Sequence, residues 1–168
     1  RRFAARAWLA PLLIERAWQR SLAVGGRALK PWPWADTWPV ARLSVPGAGI
    51  DLLVLAGDSG NALAFGPGLA PYSTHPAEAG LTVLAGHRDT HFAFLQHTRA
   101  GDVLLLETAD GGKYRYEVRS ARVVDSTRES IVTTGQPASL LLVTCYPFDT
   151  LRVGGPLRYT VRAVHRPV

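Results

Sequence analysis

The hydrophobic pattern changes period once along the chain. Over residues 4 to about 25, apolar positions return every three or four residues at Ala7, Ala10, Ile14, Ala17, Trp18 and Leu22, while Glu15, Arg16, Gln19 and Arg20 occupy the other side. That spacing predicts one amphipathic helix, interrupted or kinked near Pro11 and ended by Gly25 and Gly26. Lys30-Pro-Trp-Pro-Trp-Ala-Asp-Thr-Trp-Pro39 follows. Its closely spaced prolines exclude helix and predict an extended, aromatic-rich linker. Three tryptophans in so short a stretch need a surface. It is either the domain's own flank or a lipid interface, where tryptophan and arginine are both favoured.

Beyond Pro39 the period shortens to that of strands. Residues 40–45, 50–55, 81–85, 103–107, 114–124, 140–144 and 157–164 are separated by clusters of Gly, Pro, Asp and Ser. Seven or eight short strands in this arrangement predict a mainly β fold, a closed or nearly closed β-barrel. Short helices are expected at residues 61–65 and 92–97. With 168 residues, of which 47% are apolar, the chain holds one sizeable core. The expected organisation is an N-terminal helix and linker over 1–39 and a barrel domain over 40–168.

Composition narrows the partners. The net charge of +6 comes almost wholly from arginine, with lysine only at Lys30 and Lys113. The arginines are scattered and form no run that would track a phosphate backbone, so nucleic acid is not expected as a partner. No apolar stretch approaches the about 20 residues needed to cross a bilayer. The chain contains no methionine and starts Arg-Arg-Phe, from which an upstream targeting or anchoring segment, since removed, is expected. A single cysteine, Cys145, excludes an intramolecular disulfide.

That cysteine ends the apolar run Ser139-Leu-Leu-Leu-Val-Thr-Cys145, with Tyr146-Pro147 breaking the pattern directly after it. The thiol is therefore expected at the mouth of a sheet, either as a reactive group or as a small buried hydrophobe. Among five histidines only His87 stands where a strand ends in a glycine, which places its imidazole at a sheet edge too. Cysteine and histidine are the minimum for thiol nucleophilic catalysis: the thiolate attacks, and the imidazole exchanges protons near neutrality. A donor for the oxyanion is also required. Arg152, in a glycine-containing loop, and Arg158, at the start of the last strand, are both candidates, and the rigid strand favours Arg158. His87 and His91 have a zinc-binding spacing, but Arg88 stands where a metalloprotease needs glutamate and no third ligand is evident.

Three segments together resemble the sortases, cysteine transpeptidases of bacterial cell surfaces: Ala85-Gly-His-Arg-Asp-Thr-His-Phe92, Leu142-Val-Thr-Cys-Tyr-Pro-Phe-Asp149 and Gly154-Gly-Pro-Leu-Arg-Tyr159. They are most similar to class D-like members. The tryptophan linker and Leu63-Ala-Phe-Gly-Pro-Gly68 look most like the Gram-negative branch, class GN. The resemblance implies an eight-stranded barrel with His87, Cys145 and Arg158 in one groove, which Thr144 would also line. It implies cleavage of a Leu-Pro-X-Thr-Gly-like C-terminal sorting signal on a protein substrate, with the acyl group held as a thioester on Cys145 and passed to an amine. His87 would be acid and then base, and Arg158 the oxyanion or backbone donor. No cofactor is implied, and no acidic cluster makes a calcium cage convincing. A cysteine peptidase on the same barrel and a non-catalytic peptide-binding module are the alternatives. The resemblance further implies an N-terminal single-pass anchor in the inner membrane, with the catalytic domain facing the periplasm. Residues 4–22 would then continue that anchor, lie on the membrane, pack on the barrel, swap onto a neighbour or cover the groove as a regulatory appendage.

Overall fold

The computed structural model describes residues 2–151 and 154–167, and the side chains of the first helix from Leu9 onward. Its strands are β1 (Pro39–Val45), β2 (Ile50–Ala56), β3 (Gly68–Leu69), β4 (Leu81–Ala85), β5 (Val103–Thr108), β6 (Lys113–Asp125), β7 (Ser139–Cys145) and β8 (Leu157–His165). They close a barrel in the order β1-β2-β3-β4-β7-β8-β6-β5. Seven of them are the expected strands, with bounds differing by at most one residue at either end. The eighth, β3, is two residues long and shows no periodicity. Its backbone approaches a neighbour so closely that a Cβ on Gly68 would lie 2.0 Å from the Gly57 carbonyl oxygen.

Alternation along the strands divides the barrel wall into two faces. Leu43, Val54, Leu84, Leu104, Leu140 and Leu142 point inward and fill the core with Phe92 and Tyr116. Burial pushes the Tyr116 phenol up to about 12, so it stays neutral inside the barrel. On β4 and β7 the intervening residues Leu81, Val83 and Leu141 are buried as well, in a second cluster with Ala70. These two strands are thus buried on both faces, which explains why their sequences do not alternate between apolar and exposed polar residues.

The first helix, α1 (Arg2–Ala23), is a single helix that includes Pro11, so of the expected interruption or kink the interruption does not occur. Proline removes one intrahelical hydrogen bond, but Ala10, Ile14, Ala17 and Trp18 are all buried against the barrel and hold the helix in place. Trp18, 1% exposed, lies with its ring 6.0 Å from the Arg42 guanidinium. Arg42 in turn binds both Glu15 oxygens, at 2.5 and 2.7 Å, and Asp51 at 2.9 Å. Residues 9–23 therefore pack on the β1 flank. The linker tryptophans divide: Trp32 packs edge-on against Phe65 at 5.5 Å, whereas Trp34 is 81% exposed. Of the two expected short helices, the first is α2 (Gly60–Leu63) and the second a 3-10 turn over Ala93–His97. Among the described residues no helix is long and apolar enough to cross a membrane.

Candidate active site

Strand direction assembles the site. β4 and β7 pair in parallel, from Leu81 opposite Ser139 to Ala85 opposite Val143, so both strands finish at the same end of the barrel. β8 runs antiparallel to β7 and starts there, with Arg158 directly opposite Cys145. The β4–β7 ladder continues one step past the strand: Gly86 N–H donates to the Val143 carbonyl at 3.1 Å, and the Thr144 hydroxyl donates to the Gly86 carbonyl at 2.7 Å. One residue further along each segment come His87, just past β4, and Cys145, the last residue of β7. Neighbouring strands lie about 4.8 Å apart, so His87, Cys145 and Arg158 occupy three adjacent columns.

Cys145 and Arg158 also share a face. Leu140 and Leu142 point into the core, while Leu141 belongs to the outer cluster with Val143 packed against it. Cys145, two residues beyond Val143, follows the outer set, and so does Arg158 as its cross-strand partner. Cys145 is half-buried, Arg158 half-buried and His87 exposed, a mix that leaves the thiol within reach of a substrate. Arg158 Nη1 donates to the carbonyls of Gly155 at 2.7 Å and Leu157 at 2.8 Å. Its Nε and Nη2 donors have no hydrogen-bond partner among the described residues.

The turn carrying His87 is fixed by its neighbours. Phe92 N–H donates to the His87 carbonyl at 3.0 Å, and the Phe92 ring lies so close that a Cβ on Gly86 would meet it at 2.7 Å. Glycine is required at Gly86 for this approach rather than for a left-handed turn. Arg88 Nη2 donates to the Thr150 carbonyl at 3.3 Å, linking the His87 turn to the loop after Cys145. Two residues beyond Asp89, His91 is half-buried, and its buried Nδ1 has no hydrogen-bond partner among the described residues. Burial first, and the nearby His87 second, hold the His91 imidazole below its ordinary value.

Thr144 does not line the groove. Strand alternation turns it inward with Leu140 and Leu142, where it is 2% exposed, and its hydroxyl instead holds the backbone just before His87. Arg152, the alternative to Arg158, lies outside the described residues. Among the described residues no group of three His, Cys, Asp or Glu side chains comes together to hold a metal ion.

A groove of about 470 Å³ runs along the outer face toward Arg158. It is lined by Val83, Ala85, Val143 and Thr160 from the strands, by Asp58 and Tyr72 from the loops flanking β3, and by Glu129 and Ile131 from the loop after β6. The wall residues come from loops whose sequences carry no periodic signal, so sequence reasoning passed over them. A nucleophilic sulfur opposite a guanidinium that lines this groove, with a strand leading into an imidazole alongside, can take an extended peptide through acyl transfer.

The sortase domain family matches residues 43–166. Sortase D of Bacillus subtilis strain 168 is 34% identical over 120 residues, 71% of this chain, and the chain spans 60% of that protein's length. Among solved structures, a Clostridium perfringens sortase D5 transpeptidase superposes with a TM-score of 0.70 at 17% identity, covering 92% of this chain and 94% of the other. Sortase A from Corynebacterium diphtheriae does so with 0.68 at 22%, covering 95% and 85%. At such identities these two likenesses speak for the barrel.

Proposed function

We propose that this chain, which belongs to the sortase family of cysteine transpeptidases, cleaves a Leu-Pro-X-Thr-Gly-like sorting signal and passes the acyl part to an amine at the cell envelope. The observation that supports this reading is Arg158 directly opposite Cys145 across β7 and β8, with Arg158 lining a peptide-sized groove and β4, which leads into His87, ending beside β7. The Cys145 sulfur attacks the threonine carbonyl carbon and its proton passes to His87. Arg158 donates to the oxyanion through the edge not bound to Gly155 and Leu157. As the C–N bond breaks, His87 returns a proton to the leaving glycine amine, and the acyl group remains as a thioester. An incoming amine attacks that thioester, His87 takes its proton, and the thiolate leaves.

In this reading residues 40–168 are the catalytic barrel and residues 1–39 an appendage that follows an inner-membrane anchor, with the barrel in the periplasm. Sortases act on protein substrates at the cell envelope, and the match to a sortase D supports a class D-like placement. The Gram-negative assignment rests on the tryptophan linker and residues 63–68 alone. Thr144 acts as a positioning residue for the His87 turn.

Product analysis tests the reading. With a signal peptide and a small amine, aminolysis product should form, and Arg158→Ala should lower its rate by about 100-fold or more. Free acid alone, at a rate indifferent to added amine, would instead assign a peptidase, an outcome to which the exposure of His87 to water gives substance. No cleavage of any signal peptide, with Cys145 fully protected from alkylation, would assign a binding module.

A further inference from the structure

The groove walls differ in charge. On the wall formed by the loop after β6, Glu129 is held by Arg122 through both oxygens, at 2.8 and 3.1 Å, so its charge is compensated. On the opposite wall Asp58 lines the groove and makes no ion pair or hydrogen bond among the described residues. Tyr72 stands on the same wall, 52% exposed. Burial first, and the Asp58 charge second, hold its phenol above the ordinary value, which places the carboxylate near the ring and keeps the ring neutral. A carboxylate beside an exposed aromatic face is the chemistry that recognises an ammonium or guanidinium, through a charge-assisted contact and a cation–π contact.

Resting on the peptide-cleaving reading above, we infer that Asp58 and Tyr72 select a lysine or arginine side chain of the peptide bound in the groove. The floor beneath them, Val83, Ala85 and Val143, gives the backbone an apolar bed and offers a cation nothing. Among the described residues the only groove-lining cation, Arg158, stands at the Cys145 end. Among the described groove-lining residues a basic side chain therefore finds its uncompensated partner at Asp58. Both groups are exposed, which sets the effect at roughly fivefold in rate rather than all or none.

The test measures acylation of Cys145 by Leu-Pro-Ala-Thr-Gly peptides carrying lysine, norleucine or glutamate either at the variable position or just before the leucine. No amine acceptor is added. At one of the two positions lysine should outpace norleucine about fivefold, and glutamate should be slower. Asp58→Asn should erase the lysine advantage, read as the ratio of lysine to norleucine rates within each variant, Tyr72→Leu should reduce that ratio, and Tyr72→Phe should retain it. Raising the salt concentration should shrink it. A lysine advantage unchanged in Asp58→Asn, or none at either position, overturns the inference while leaving the acyl chemistry intact. A cation preference seen only in the partition among added amines also overturns it, assigning the wall to the acceptor. Failure of every peptide, norleucine included, to acylate Cys145 overturns the underlying reading with it.

Discussion

On the β1 flank the barrel's outer face is covered by the chain itself: Ile14, Ala17 and Trp18 of α1 are buried there, and Arg42 is clamped by Glu15 and Asp51. On the β4–β7–β8 flank the outer face also carries apolar residues, yet a groove of about 470 Å³ lies open over Ala85 and Val143. The two flanks belong to one closed sheet and differ in what covers them. Where a helix is available, apolar outer surface becomes stability. Where it is left uncovered beside converging strand ends, it becomes a binding surface with chemistry at its end.

Single substitutions should separate the flanks. Trp18→Ala empties a fully buried site and should cost about 3–5 kcal/mol of stability in denaturant unfolding, while cleavage per folded molecule stays near the parent value. Cys145→Ala should do the reverse, abolishing cleavage with a midpoint within about 0.5 kcal/mol of the parent. If Trp18→Ala proved as inactive as Cys145→Ala under conditions where it is folded, the flanks would not be independent.

Thr144→Val should join the two signatures. It removes the donor to the Gly86 carbonyl and should cost about 1–3 kcal/mol of stability. It should also lower activity, because the His87 turn loses its tie to β7. A loss of stability with unchanged activity per folded molecule would confine Thr144 to the core.

The smallest effect is in pH. His91 is a base held below its ordinary value of 6.5 by burial and by His87, so the unfolded chain binds its proton more readily than the folded one. Its contribution to stability is present above pH 6.5 and declines as pH falls from there toward the folded value. Midpoints measured from pH 7.5 to 5 should fall less steeply in His91→Asn than in the parent. Equal slopes would show that His91 does not titrate between the two states.

How much of this was legible in the sequence depends on the range of the interaction. Seven strands follow from local alternation and turn residues, and β3 does not, since two residues define no period. Cys145 and Arg158 are readable as strand ends, but their union with His87 requires β4 and β7 to pair in parallel across more than fifty residues, which no local pattern encodes. Thr144 is instructive in the other direction. The alternation that puts Leu140 and Leu142 inside also puts Thr144 there, so its inward position was available from its own strand and was overridden by its adjacency to the nucleophile. The continuity of α1 through Pro11 depends on tertiary burial of Ala10, Ile14 and Trp18, which outweighs a local helix-breaking preference. Asp58 and Tyr72 reach the groove from loops, whose paths are set by closure of the barrel.

Intact-mass spectrometry after rapid acid quench of the protein with a Leu-Pro-X-Thr-Gly peptide tests the central claim most directly. The account predicts a mass increase equal to the peptide's acyl fragment, located on the Cys145 peptide, discharged by hydroxylamine and absent in Cys145→Ala. An acyl fragment released with no adduct at any quench time, or an adduct that persists in Cys145→Ala, would contradict it.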